Sequence, residues 1–448
     1  LQNLYDQAAL LSVHLVDPVK SLFTIEFYPL HPIWLSIGNF FLSSYGQQVI
    51  LIFFSLIGLA GGYYLALEID GRAAVARLFT FLLAINPALI FFSKFPVTEV
   101  VAFAFAVNGF LFLTRYLKSV DKNLTHLYFL LTLMCFGALT ATRWQLFLYL
   151  PFLGLLGLAS LFPPIEKNLR KKLATITMGI LLVLIISMGY YWWKQPTLFE
   201  PMWDTITDAL PSTTLLIFFG LLGIFLLFLL NKRFSRAQDL QISQVLKVVH
   251  KVAPYLLIVS FAFSIFSIIE IYDRDLMAPW EYPVPIGDAF LFRFHGLYRL
   301  ILFASPVALG LILLAPFLLK VRSISISLLF IFGGSLWIVI LSRPFVPYLY
   351  YYGRYLIVDM LPLVLLIASI LCIDLKNSLS KWKNYLSKFS ITSLIAYSLF
   401  FSYFQIGHFE GEPVGIYEDF LSDITQRDVI VVSLLDQRVV VPLRITYE

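Results

Sequence analysis

Several short stretches of this chain carry side chains suited to holding an anion or moving a proton. One is Lys94-Phe95-Pro96-Val97-Thr98-Glu99, where a proline breaks the chain and a carboxylate opens the next apolar run. Glu99 reads either as a helix-start acid, favoured there by the helix dipole, or as a buried acid facing a polar cavity. A second is Thr140-Ala141-Thr142-Arg143-Trp144, in which Arg143 is the one charge between two apolar runs. It suits an interfacial anchor beside a belt tryptophan as well as an anion ligand. Further on come Ser342-Arg343-Pro344 and Tyr350-Tyr351-Tyr352-Gly353-Arg354-Tyr355. Planar guanidinium groups offer multidentate donors to a phosphate, and Arg343, Arg354 and Tyr355 fit that use at a membrane surface. An aromatic belt accounts for the tyrosines, but it accounts less well for Arg354.

Near the start, Tyr5, Asp6, Gln7, Asp17 and Glu26 precede Tyr28-Pro29-Leu30-His31-Pro32. His31 has no second histidine at metal-ligand spacing and reads first as an interfacial histidine. Residues 273–297 add Asp273, Asp275, Trp280, Glu281, Asp288, Arg293 and His295, a loop able to fold over a site or to stay solvated. The sequence holds no phosphate-binding glycine loop, nucleophile elbow or zinc motif.

The elements that must position these residues are membrane helices. Of 448 residues, 60% are hydrophobic and 13% charged, and the mean hydropathy is +0.85. Such a chain is too apolar for an ordinary soluble domain. Apolar runs fall at 48–67, 76–93, 99–115, 125–141, 144–162, 173–193, 213–231, 252–272, 298–319, 324–342, 355–374 and 390–407. Each is long enough to cross a bilayer as a helix, which predicts an all-α polytopic membrane protein of about twelve spans. The runs are apolar on every face, so barrel strands are excluded. Residues 29–45 are apolar but interrupted by His31, Pro32 and Asn39, and read as an interfacial or re-entrant segment. Residues 1–47 form the first outer loop, 48–407 the membrane domain, and 408–448 the start of a small extracytoplasmic α/β domain, with strands expected at 428–433 and 438–445.

Orientation follows from charge. Most of the 32 lysines and arginines fall in alternate loops, among them Arg72, Arg115, Lys118, Lys172, Arg236, Lys320 and Lys381. By the positive-inside rule those loops are cytoplasmic, and the stretches named first face outward. The net charge of +5 belongs to this bias and does not call for nucleic acid. Cys135 and Cys372 both sit in apolar runs, so there is no disulfide framework.

Taken together, these residues resemble the GT-C superfamily of membrane glycosyltransferases, of the dolichyl-phosphate-mannose and aminoarabinose transferase type. Tyr28 to Pro32 leading to Tyr45-Gly46 looks like the family's proline-rich interfacial segment, and Thr98-Glu99 like its second outer acid. Arg354-Tyr355 with Pro362 looks like its late Arg-Tyr pair. The resemblance implies transfer of a sugar from a polyprenyl-phosphate donor to a lipid, glycan or protein acceptor, on the outer face of a bacterial or archaeal cell membrane. It implies that Glu99 assists at the sugar or at a divalent metal, whose ligands it does not identify, and names no other cofactor. Arg354 would stabilise the departing phosphate, with Tyr355, Arg343, Arg143 and His31 around the substrate, and an outer-loop aspartate would serve as base. Matching Tyr5 and Ala8 to the family puts that aspartate at or before Leu1, with Asp6 the nearest residue here. An upstream helix would bring the spans to thirteen. The rival expectations are a flippase for lipid-linked oligosaccharides or another polytopic transporter, and a scaffold descended from the enzymes. The first would place polar groups on broken helices near the midplane; here deep polar groups are few, although Asp359 lies just inside its helix and argues the other way.

Overall fold

The computed structural model describes residues 13–17, 22–25, 28–42, 45–94, 97–161, 166–194, 199, helical positions within 251–262, 295–319, 323–341 and 354–406. The expected span at 213–231, most of the loop 273–297 and the expected strands after 408 lie outside them. The chain divides into two units, one comprising Leu1–Phe27, Met188–Thr207 and Ile406–Glu448, the other Tyr28–Ser187 and Asp208–Gln405.

The first unit holds the described strands, β1 (Val13–Asp17) and β2 (Leu22–Ile25), paired antiparallel with Val13 opposite Ile25 and Leu15 opposite Phe23. The sequence reading places these residues in the first outer loop without assigning strands to them. Val13-His14-Leu15-Val16 and Leu22-Phe23-Thr24-Ile25 are rich in β-branched and aromatic residues, and Pro18 between them stops either strand from continuing.

The second unit is helical. It begins with α1 (Leu30–Leu42), α2 (Gly46–Asp70), α3 (Ala73–Ala84), α4 (Pro87–Phe92), α5 (Thr98–Lys118) and α6 (Lys122–Thr142). A 3-10 segment (Trp144–Tyr149) and α7 (Leu150–Ser160) follow, then α8 (Lys167–Lys194, of which 167–187 belong to this unit), α9 (His295–Ala304), α10 (Pro306–Leu318) and α11 (Ile324–Leu341). The last three are α12 (Arg354–Ile357), α13 (Met360–Lys376) and α14 (Lys381–Ile406). Among the described residues, four helices, α2, α5, α6 and α8, are long and apolar enough to cross a membrane. At 25 residues, α2 spans about 37 Å, more than the hydrocarbon thickness of about 30 Å.

Outward faces carry large apolar side chains, including Phe53 and Leu56 on α2, Met134 on α6, Ile185 on α8 and Phe400 on α14. Water would penalise such a surface, whereas hydrocarbon does not. At the centre lies α13, buried along its length except at Asp374 and Lys376, with α2, α3, α9, α10 and α11 packed around it. A helix apolar all round belongs inside a bundle.

Helices α2 and α5 approach closely because small residues line α2. An added Cβ at Gly58 would lie 2.4 Å from the Phe103 ring, and one at Gly61 would meet the Asn108 amide at 2.6 Å. Small residues at such a seam let two backbones come together. Asn108 uses the proximity to donate to Ile57 O at 3.3 Å while also donating to Ala104 O on its own helix. Gly58→Leu is therefore expected to cost about 1–3 kcal/mol through overpacking, read as a lower denaturation midpoint in detergent. A variant as stable as the native chain would mean that this seam opens without penalty.

Among the described residues, four runs that read as continuous spans are not continuous α-helices. Run 76–93 is interrupted between α3 and α4, and 144–162 begins as a 3-10 turn. Run 298–319 is divided at Ser305, and 355–374 at Val358 and Asp359. The reason is local. Each break is followed within three residues by a proline, Pro87, Pro151, Pro306 or Pro362, which is favourable in a first turn and cannot continue a preceding helix. Asn86 caps α4, accepting from Ala88 N and Leu89 N, and Ser305 caps α10, accepting from Ala308 N. Ser305 adopts φ 87°, a left-handed conformation that costs a serine about 1–3 kcal/mol.

Candidate functional site

The helices turn alternately, so their polar ends gather in two groups. At one end, Arg72 bridges Asp70 and Asp374 (2.5 and 2.7 Å), and Glu68 faces Arg115 and Lys118. Burial alone would depress the Arg72 pKa, but its hydrogen bond to Asp70 and the charges of Asp374 and Asp70 carry it above its ordinary value. Lys172 donates to the carbonyls of Leu117 and Ser119 at the same end. These are the loops that the sequence marks as basic.

The other end is where α5 starts and α6 stops. Glu99 stands in the first turn of α5, fully buried, and Arg143 follows the last residue of α6 at 6% exposure. Arg143 Nη1 donates to Glu99 Oε1 and to Thr98 Oγ1, the latter at 3.3 Å. The pair is held from both sides. The Arg143 amide donates to Leu139 O at 2.7 Å to close α6, and the 3-10 segment begins with Trp144 stacked on Phe147 at 4.2 Å between ring centroids.

That segment leads to a second buried carboxylate. Asp359 Oδ2 accepts from Gln145 Nε2 and, at 3.0 Å, from Tyr149 Oη, while Oδ1 accepts from Met360 N at 2.6 Å. Asp359 is 5% exposed and lies within electrostatic reach of Arg143. The break before α13 thus carries an acid at a helix N-terminus, where the dipole favours negative charge. Helix α12, which opens with Arg354 and Tyr355, packs against α4, α5 and α13.

A third polar knot ties two breaks together. Asn86 donates to Phe303 O at 2.8 Å, Ser402 to Ile85 O at 2.6 Å, and Tyr397 to Leu302 O at 3.0 Å. Carbonyls released where a helix stops inside a bundle need such donors, since the hydrocarbon offers none.

Of the residues singled out in the sequence, Glu99 and Arg143 meet directly, and the start of α12 places Arg354 and Tyr355 on the helix beside α5. His31 is buried in the first turn of α1, which packs on α2 and α6. Asp6 and Arg343 fall outside the described residues, as do the side chains of Arg354 and Tyr355. Gln145, Tyr149 and Asn86 were not among the sequence candidates, and Asp359 entered there only as an acid just inside its helix that would argue for a transporter. Their signal was an ionisable or amide side chain within three residues of a proline in an apolar run, as in Asn86-Pro87 and Asp359-Met360-Leu361-Pro362. Gln145 and Tyr149 carry no such mark beyond Pro151.

Among the described residues, no group of three or more His, Cys, Asp or Glu side chains is placed to hold a metal ion. Glu99 has Oε1 engaged by the Arg143 guanidinium.

Helices of spanning length, outward apolar faces and a buried polar cluster at helix ends define a polytopic helical membrane protein. Comparison with family models, with curated proteins and with solved structures finds no match to this chain.

Proposed function

We propose that this chain is a membrane glycosyltransferase of the GT-C type, moving a sugar from a polyprenyl-phosphate carrier to a lipid, glycan or protein acceptor on the outer face of a bacterial or archaeal cell membrane. In this reading about twelve helices span the bilayer, and residues 408–448 open an extracytoplasmic domain. The observation that carries the reading is the buried Glu99–Arg143 pair, at the end of the bundle opposite the basic loops and beside the helix that begins with Arg354. A buried arginine at that end is a preorganised positive charge for a lipid phosphate entering from the outer leaflet.

The acceptor oxygen bonds to the anomeric carbon as the bond from that carbon to the phosphate oxygen breaks. The phosphate leaves with the electron pair, and the acceptor proton passes to an outer-loop carboxylate such as Asp6. The leaving group is already a stabilised anion, so electrostatic positioning contributes more than a strong acid would. Glu99 then acts through Arg143, fixing its charge where the phosphate arrives.

One observation favours a second reading. Three runs broken at capped ends, at Asn86, Ser305 and Asp359, the first two joined through Asn86 and Phe303 O, are also the architecture of a transporter or lipid flippase. A single preparation separates the two. The protein in liposomes is given radiolabelled polyprenyl-phosphate sugars with membrane-extract acceptors. Transfer to an acceptor supports the enzyme, whereas passage of the lipid-linked glycan across the bilayer without transfer overturns it in favour of the flippase.

A further inference from the structure

We infer that Asp359 is a positioning residue, whose bonds to Gln145 and Tyr149 set the spacing between the Arg143 and Arg354 halves of a phosphate-lipid site. The inference rests on the glycosyltransferase reading for its substrate, and on geometry alone for its mechanics.

The argument starts from the cost of the group. A carboxylate at 5% exposure inside a membrane bundle carries a desolvation penalty of several kcal/mol unless its lone pairs are filled. Here they are filled from two directions. Gln145 and Tyr149 reach one oxygen from the 3-10 segment, and the Met360 amide reaches the other from the start of α13. The carboxylate thus accepts three donors, two on Oδ2 and one on Oδ1, which suits a brace better than a group that binds or attacks substrate.

What the brace connects gives it a role. Gln145 is two residues beyond Arg143, whose guanidinium is already fixed on Glu99 and acts on Asp359 through space. On the other side, Asp359 is five residues beyond Arg354, and only α12 and Val358 lie between. Two chain segments more than 200 residues apart in sequence are thereby locked at one carboxylate. An apolar side chain at 359 could fill the space but could not fix the direction of the 3-10 segment, which packs otherwise through rings such as Tyr149 against Phe332.

Two sets of variants test this. D359N removes the charge and places an amide against a backbone donor. Q145L/Y149F leaves Asp359 and its Met360 bond intact and removes the link to the 3-10 segment. Backbone hydrogen exchange over residues 143–149 and 354–359 is the readout that needs no substrate. Exchange at least tenfold faster in both variants, at unchanged global unfolding, is expected, and native rates in both would overturn the brace whatever the protein does.

The second readout is equilibrium binding of decaprenyl phosphate in nanodiscs, with transfer kinetics beside it. The KM for the lipid donor should rise and kcat/KM fall by about a hundredfold, as for an ångström-scale misplacement, with the KM for the acceptor unchanged. D359E should regain part of this by restoring the charge. Native donor KM in both variants would overturn the role at the site. Failure of the native protein to bind decaprenyl phosphate would instead overturn the substrate reading, leaving exchange to decide the brace.

Discussion

Glu99→Ala is expected to destabilise the protein by about 3 kcal/mol, measured by denaturant unfolding in detergent. Removing one partner of a buried ion pair costs about 3–5 kcal/mol, because the remaining charge stays out of water. The lower end applies here, since Thr98 still accepts from Arg143. The double variant E99L/R143M replaces the pair by apolar side chains and should recover most of the loss, because well-packed hydrophobic replacements of buried pairs are often neutral. Glu99→Gln should cost less than alanine, as its amide oxygen still accepts from Nη1. A Glu99→Ala protein as stable as the native one would mean that the pair is hydrated in solution, and the preorganised charge proposed for the site would lose its basis. The stability result also governs how activity is read: transfer lost in Glu99→Ala alone reports unfolding as readily as chemistry, so Glu99→Gln is the informative variant.

The apolar runs announced the four helices of spanning length because their signal is a sum over about twenty residues, robust to any one of them. The sum is blind to what interrupts a run. Asn86, Ser305 and Asp359 barely lower the mean over their windows, yet each ends one helix and caps or anchors the next. Their prolines were legible, but a proline in an apolar run also suits a kinked helix, and hydropathy does not choose between kink and break. The hairpin at 13–25 escaped for the opposite reason, being two strands of four or five residues too short to stand out in a window.

The site was legible in its parts and not in its assembly. Glu99 and Arg143 announced themselves as lone charges next to apolar runs. That they pair follows from α5 and α6 being antiparallel neighbours, so that the start of one lies beside the end of the other. Asp359 was visible as an acid within a run, and its role depends on Gln145 and Tyr149, 214 and 210 positions away. No local pattern specifies such a pairing, because it is set by how α13 threads through the bundle. The sequence weighed deep polar groups as few. The structure adds Asn86, Gln145, Asp359 and Ser305, all buried, which makes the interior more polar than the run-by-run reading suggested.

Arg354→Ala is expected to lower transfer from a polyprenyl-phosphate sugar by about 10²–10³-fold in kcat, the loss typical of removing one preorganised group that stabilises developing charge. The expectation rests on position. Arg354 is the first residue of α12, and α12 packs against α5, whose first turn carries Glu99. A guanidinium there would join Arg143 on the side of the bundle that the positive-inside bias leaves poor in cations. Two arginines serving one phosphate would explain what an aromatic belt does not. Lysine at 354 should restore only part of the rate, since an ammonium supplies the charge without the planar fork. Because departure of the phosphate is the step at issue, the defect should appear in kcat more than in the donor KM, which separates Arg354 from the Asp359 brace, where KM carries the change. Native turnover in the alanine variant would remove Arg354 from the chemistry, leaving the Glu99–Arg143 pair as a structural clamp and shifting the balance toward the broken-helix transporter.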